Sequence, residues 1–297
     1  MAGMIGKMIR QGVALGLAGV LLSACGGGFG GTDATSSPQV INVSSWDPKE
    51  RQRDGAGYSP DDLSALRANG ALGLIARSAK GPAVDEKFSR FLKGADRQGL
   101  LLGAYHFVTT GSDPAAQADA FVDRVRSVAR SRGISRRRIL LVGDFDTKST
   151  PDRLVRFIER VEQRTGVTPV VYLENSDGLK GRLAAASAAQ KRVMRRAPYW
   201  IALYGPHGTE RRMFSDRPLT PDGLTEQYDV WGSWDLWQYG GVTWQGGRSN
   251  PKHYNTGRWG SPKYFGNMAH PLERNVFKGG ESALQAWWER HGWAWWE

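Results

Sequence analysis

Two aspartates, Asp144 and Asp146, stand two positions apart where the apolar run Ile139–Gly143 ends. Residues i and i+2 of a β-strand share a face, so both carboxyls would point the same way. Two close carboxylates cannot both ionise freely, and one is pushed toward the protonated form that a general acid needs. Other apolar runs end in residues that could serve the same chemistry: Asn42 to Trp46, Tyr105-His106-Phe107, Tyr172-Leu173-Glu174, Trp237-Gln238-Tyr239 and Glu273-Arg274-Asn275. Each has a plainer reading by itself. An Asp-x-Asp can be a turn or a helix cap, His106 a hydrogen-bonded core residue, and strand-end aromatics simple packing. Their joint position at run ends is what argues for a site. His106 has no partner at metal-ligand spacing, so neither metal nor cofactor is implied.

The elements that must hold these residues can be read from hydrophobic patterning. Eight short apolar runs are candidate strands: Val40–Val43, Gly73–Arg77, Leu101–Phe107, Ile139–Gly143, Pro169–Leu173, Tyr199–Leu203, Leu236–Tyr239 and Arg274–Phe277. Most are continuously apolar, as strands covered on both faces should be. Helical patterns separate the first five and follow the fifth. Ser59-Pro60-Asp61-Asp62 opens one with an N-cap and a proline at the first position. Phe88, Phe91, Leu92 and Ala95 mark one face of the next, which Gly99 stops. Asp113-Pro114 and Thr150-Pro151-Asp152 open two more, and Ser176–Arg196 is a less regular fifth. After Tyr199 the runs follow one another without a clear helix. The expectation is a single-domain α/β fold, a TIM-like (β/α)5β3 barrel, whose active end is the C-terminal rim of the strands. A last helix, Ala283–Trp296, should pack Leu284, Trp287 and Trp288 on the barrel and leave Trp295 and Trp296 more exposed.

The N-terminus reads differently. Lys7 and Arg10 precede an uncharged run, Gly12–Leu22, too short to span a bilayer, and Leu22-Ser23-Ala24-Cys25 closes it. That tetrapeptide resembles the lipobox of bacterial lipoproteins, which implies lipidation at Cys25, the single cysteine of the chain. Residues 1–25 are then a lipoprotein signal, residues 26–38 a flexible Gly/Ser tether, and residues 39–297 the barrel with its C-terminal helix. Gly26 replaces the acidic residue of an inner-membrane retention signal. The protein is therefore expected in the cell envelope, held to the outer membrane by lipid alone and facing the periplasm. The formal charge of +11 is spread along the chain and reads as a solvated basic surface. No zinc-finger, helix-turn-helix or RNA-recognition pattern occurs, so no nucleic-acid partner is expected, and nothing calls for more than a monomer.

From Val40 to Trp288 the chain also resembles the lysozymes of glycoside hydrolase family 25, which cleave peptidoglycan glycan. Val40-Ile41-Asn42-Val43-Ser44 is similar to the family's opening strand, and Val84-Asp85-Glu86-Lys87-Phe88 to its D-x-x-F segment. Gly99-Leu100 through Gly103-Ala104-Tyr105-His106-Phe107 matches G-L-x-x-G-A-Y-H-F, followed by Gln117-Ala118. Thr165-Gly166 to Pro169-Val170-Val171-Tyr172, Pro198-Tyr199-Trp200-Ile201-Ala202, Leu236-Trp237-Gln238-Tyr239 and Glu273-Arg274-Asn275-Val276-Phe277 resemble later family segments. The resemblance implies a (β/α)5β3 barrel acting on peptidoglycan glycan strands. It implies a catalytic set of Asp146 (the proton donor), Asp144, Glu273 and Asn42, and glycan contacts from Trp46, Tyr105, Tyr172, Glu174, Trp200, Tyr204, Trp237, Gln238 and Tyr239. The chain departs from the family at acidic positions: Asn42 and Glu273 stand where it has Asp, Asp146 where it has Glu, and Arg77-Ser78-Ala79-Lys80-Gly81 replaces K-A-T-E-G. A carboxyl about one methylene short matters, because ~1 Å of misplacement can cost ~100-fold in rate. Three outcomes are compatible: a weak muramidase, a non-catalytic glycan-binding or scaffold lipoprotein, and a hydrolase of another glycan.

Overall fold

The computed structural model describes residues 37–48, 58–174, 176–203, 228–245, 248–255 and 272–297. Cys25, most of the tether and Tyr204 lie outside the described residues. The described residues all belong to one compact unit, Gly31–Glu297.

In chain order the elements are β1 (Gln39–Val43), α1 (Pro60–Ala68), β2 (Ala71–Lys80), β3 (Ala83–Val84), α2 (Phe88–Arg97), β4 (Leu101–Val108) and α3 (Pro114–Ser131). Then come β5 (Ile139–Phe145), α4 (Pro151–Thr165), β6 (Val170–Glu174), α5 (Asp177–Ala184), α6 (Ala188–Arg196) and β7 (Tyr199–Ala202). The chain ends with β8 (Leu236–Gln245), β9 (Arg248–Asn255), β10 (Glu273–Phe277), α7 (Glu281–His291) and β11 (Gly292–Trp293). The strand order β1-β10-β8-β7-β6-β5-β4-β2 closes through a β1–β2 pairing into an eight-stranded barrel. Seven of its strands run parallel, while β10 is antiparallel to both neighbours. Five helical crossovers link β1 through β7, giving the (β/α)5β3 plan. All eight barrel strands fall on the apolar runs.

Local signals explain the helix starts and stops. Ser59 caps α1 with a reciprocal Asp62 contact, and Asp113 caps α3 by accepting the N–H groups of Ala115 and Ala116. Gly166 ends α4 at φ 74°, a conformation that needs no Cβ. The irregular Ser176–Arg196 segment is two helices, because Ser187 forms a second capping box with Gln190.

Strand alternation sorts side chains into two layers. Ile41, Leu74, Leu102, Leu141, Val171 and Ile201 point outward against the helices. Val40, Ile75, Tyr105, Leu140, Val142, Val170, Trp200 and Leu236 fill the barrel, joined by Leu284, Trp287 and Trp288 of α7. The last helix therefore plugs the base, the end where the parallel strands begin. Trp288 Nε1 donates to the carbonyl of Leu102 at 2.8 Å, and a Cβ on Gly73 would lie 3.3 Å from the Trp288 ring. After α7, β11 pairs with Ile139 and Leu140 at the start of β5.

One expectation needs correction here. Trp295 is only 6 % exposed and packs in the outer core, with half-buried Trp296 edge-on to it. The tail is buried because β11 draws it back along the barrel. Removing residues after Trp293 should consequently lower the melting temperature by on the order of 10 °C, given the ~3–5 kcal/mol cost of deleting a buried Trp. Differential scanning calorimetry on the truncated chain checks this.

His106 belongs to the outer layer, where its ring lies near Phe121 and Phe157. Its Nε2 meets Gln117 Oε1 at 3.3 Å, while Nδ1 has no partner among the described residues. Burial pushes its pKa down to about 4, with the Gln117 bond opposing weakly. The unfolded chain thus takes up a proton near pH 6.5 that the folded chain refuses until about pH 4. The stability this confers is complete above pH ~6.5 and is lost as pH falls toward 4, by roughly 3 kcal/mol in all. Urea midpoints measured across that window should fall in the native chain and fall less in His106→Gln.

Candidate active site

The C-terminal ends of the parallel strands form a mouth at the opposite end from α7. Asp144 is the inward-facing residue before the end of β5, half-buried, and the carbonyl of Val108 on β4 accepts the N–H of Asp146. Asp146 lies just beyond Phe145, the last residue of β5, in the turn that follows the strand. Asp146 Oδ1 also accepts the backbone N–H of Lys148 at 2.8 Å, which fixes that carboxyl in the turn after the strand. Glu174, exposed at the end of β6, lies one strand over, where Asp144 pairs with Tyr172 and Phe145 with Leu173.

The electrostatics tie these acids together. Burial, then the charges of Glu174 and Glu273, push the Asp144 carboxyl well above the usual carboxylate range, against the opposing pull of Arg77 and Lys80. Partial loss of water at the crowded rim, then the charge of Asp146, raise Glu174 although part of its side chain stays exposed. Burial likewise lifts the Tyr105 hydroxyl, with Arg77 opposing and Glu273 and Asp144 adding to the rise. Two carboxyls beside Asp146 therefore keep their protons to higher pH than an exposed acid.

Across the mouth, polar side chains from five strands form a continuous network. Asn42 Oδ1 accepts from Gln238 Nε2 at 3.0 Å and from Asn275 Nδ2 at 2.8 Å. Its own Nδ2 donates to Glu273 Oε2, to which Gln238 Nε2 also points at 3.5 Å. Tyr172 donates to Gln238 Oε1 at 2.5 Å, and Trp200 Nε1 to Asn275 Oδ1 at 3.0 Å. Every hydrogen-bonding atom of the Asn42 amide oxygen side is thus committed, and its amino group faces a carboxylate. Asn42→Asp would set a second carboxylate against Glu273. Taken alone it should reduce stability by ~1–3 kcal/mol at neutral pH, because one of the pair must then hold a proton. Combined with Glu273→Asp, which withdraws the facing carboxyl by a methylene, the loss should shrink. A double-mutant cycle of melting temperatures reads this coupling.

Arg77 is a participant that sequence reasoning did not single out. It reaches from β2 to Asp85 Oδ2 at 3.0 Å and Ser45 Oγ at 2.9 Å. Asp85 is buried and also accepts the N–H groups of Ser45 and Lys87. Burial acts to lower the Arg77 pKa, but Tyr105 and Asp85 outweigh it and leave it raised. The pair places a half-buried cation beside the acids, and the signal for it was two opposite charges flanking the β2–β3 turn.

Other expected glycan contacts divide by strand parity. Tyr105, Tyr172, Trp200 and Gln238 face the interior or mouth, and Trp46 sits half-buried in the turn after β1. Trp237 and Tyr239 do not: alternation along β8 sends them outward while Gln238 points in. Trp237 is fully buried, donates to the Leu203 carbonyl at 2.9 Å and packs against Trp234 and Tyr239. Tyr239 donates to Gln39 Oε1 at 2.7 Å. Both are outer-core residues. Among the described residues no group of three or more His, Cys, Asp or Glu side chains could hold a metal ion.

Carboxyls gathered with amides and aromatics at the C-terminal mouth of a (β/α)5β3 barrel make a glycosidase-type site. Residues 41–247 match the family model for glycosyl hydrolases family 25, and the chain belongs to that family. Among solved structures it is similar to the catalytic domain of endolysin ply40 from bacteriophage P40 of Listeria monocytogenes. That match has 20 % identity and a TM-score of 0.52, covering 85 % of this chain and 97 % of that one. A family 25 glycosyl hydrolase from Bacillus anthracis matches at 15 % identity and a TM-score of 0.51, covering 88 % and 99 %. At these identities the likeness shows the fold. A search of curated proteins finds no match.

Proposed function

We propose that this chain is an envelope-tethered peptidoglycan hydrolase that cleaves the bond between N-acetylmuramic acid and N-acetylglucosamine. The observation that carries the reading is the gathering of carboxyls, Asp144, Asp146, Glu174 and Glu273, at the mouth of a family 25 barrel, where Asp144 and Glu174 are both raised by neighbouring acids. Glycoside cleavage needs one carboxyl to protonate the departing oxygen and negative charge to steady the oxocarbenium-like centre. Asp146 holds the family's donor position at the rim. Asp144 stands deeper in the mouth, its carboxyl pushed toward the neutral form by burial and the charge of Glu174, and Tyr172, Gln238 and Tyr105 present hydrogen-bonding and ring surfaces to the sugars. Turnover is slow, because the donor is one methylene short and Asn42 contributes no charge. The lipid on Cys25 holds the barrel at the outer membrane, facing the wall.

The committed Asn42–Glu273 contact favours a second reading, a glycan-binding lipoprotein in which that half of the site is structural. Product chemistry separates the readings. Digested peptidoglycan, reduced with borohydride and hydrolysed, should yield reduced muramic acid. Reduced glucosamine would identify a different glycan bond, and no reduced sugar would leave binding as the function.

A further inference from the structure

The base of the barrel carries a charge pattern that catalysis does not use. Three successive turns lie side by side there, leading into β2, β4 and β5. They bear Arg67, Arg97, Arg132 and the run Arg136–Arg138, of which Arg67, Arg97, Arg132 and Arg136 are exposed. The only carboxylate in these turns, Asp96, is buried and tied to Lys93 at 3.3 Å and Arg137 at 3.9 Å. Favourable interaction with helix C-termini accounts for Arg67 and Arg97, which sit in last turns. Arg137 donates to the carbonyls of Gly99 and Leu100, and Arg138 to that of Gly292 with Glu289 at 3.4 Å, so these two have partners inside the fold. Arg136 is exposed and lies beyond α3. The mouth, at the far end, carries the acids.

The tether joins the barrel at the same place. Gln39 begins β1 and pairs with Ala71, at the end of the Arg67 turn. We infer that the arginine arc at the base docks on anionic phospholipid headgroups, so that the mouth points away from the bilayer and toward the wall. The inference rests on the lipid anchor of the proposed function but not on catalysis. Basic side chains close to an anionic bilayer are attracted within about a Debye length of it.

The test uses residues 31–297, the compact unit that holds the whole barrel, without lipid. Sedimentation is measured with vesicles of phosphatidylcholine alone and of phosphatidylcholine with phosphatidylglycerol. Binding should appear only with the anionic vesicles and disappear as salt rises from ~0.05 to ~0.5 M. The fourfold variant R67E/R97E/R132E/R136E should lose at least ~100-fold in partitioning, while the fourfold Arg→Lys variant binds as the native chain does and so controls for folding. Equal binding to neutral vesicles, no binding to either, or retained binding in the Glu variant overturns the inference. So does arc-dependent binding to an anionic wall polymer with none to vesicles. Release of reducing ends from soluble glycan is measured alongside, and its presence or absence bears only on the hydrolase reading.

Discussion

Asp146→Asn is expected to lower glycan cleavage by ~10²–10³-fold, the usual cost of removing one group that acts on transition-state charge. The substitution keeps the size of the side chain and its bond from Lys148 N–H, so binding to glycan should change little. It also removes the charge that helps raise Glu174. The alkaline limb of any residual activity should therefore move to lower pH, since Glu174 then gives up its proton sooner. Asp146→Glu should act in the opposite direction, because the carboxyl regains the methylene it lacks and ~1 Å of reach is worth up to ~100-fold. Glu174→Gln distinguishes the two acids. If it abolishes cleavage while Asp146→Asn does not, the proton comes from β6 and the family donor position is vacant in function. Initial rates of reducing-end release between pH 4 and 8 give all four results.

The second large effect lies at the other end of the barrel. Trp288→Ala should destabilise the protein by ~3–5 kcal/mol, as deletion of a buried Trp does when its surroundings cannot collapse. The indole fills the base between Gly73 and the interior layer, and β strands on every side fix that space. For a chain of this size the melting temperature should drop by on the order of 10 °C or more. Trp288→Phe should recover part of the packing but leave the Leu102 carbonyl without its donor, at a cost of about 1–2 kcal/mol. Neither change touches the mouth. Activity per folded molecule, measured well below the melting transition, should match that of the native chain.

The contrast between these two ends explains what the sequence disclosed. Short apolar runs marked all eight barrel strands, because strands covered on both faces are mostly apolar and carry polar residues such as Asn42 and Asn275 only where the mouth uses them. Asp144 was legible as a mouth residue because it stands at the end of a parallel strand, whereas Asp146 falls just past Phe145, the last residue of β5, where strand spacing no longer fixes a face. Glu174 was legible as a neighbour because it ends the next parallel strand. Trp237 and Tyr239 were misplaced for the same geometric reason. A motif names residue types, but parity along β8 decides that Gln238 faces the sugars and its flanking aromatics face the helices. Arg77 was passed over because a cation in a mouth of acids is identified by its partner, and Asp85 comes from the far side of a turn. Trp295 was expected at the surface since nothing in the six residues after α7 reveals that β11 will pair with β5. The basic arc was invisible for a related reason. Arg67, Arg97, Arg132 and Arg136 are scattered along the chain and become one patch only when three turns are brought together at the base.

The central claim is that this mouth cleaves glycan and does not merely hold it. The most direct measurement incubates purified peptidoglycan with the native chain and with Asp146→Asn, and follows reducing ends and co-sedimentation in the same tubes. Both proteins should sediment with the polymer to the same extent. The native chain alone should release reducing ends above the blank, in proportion to enzyme and time. Equal sedimentation with no release from the native chain would contradict that claim and make this barrel a glycan-binding protein.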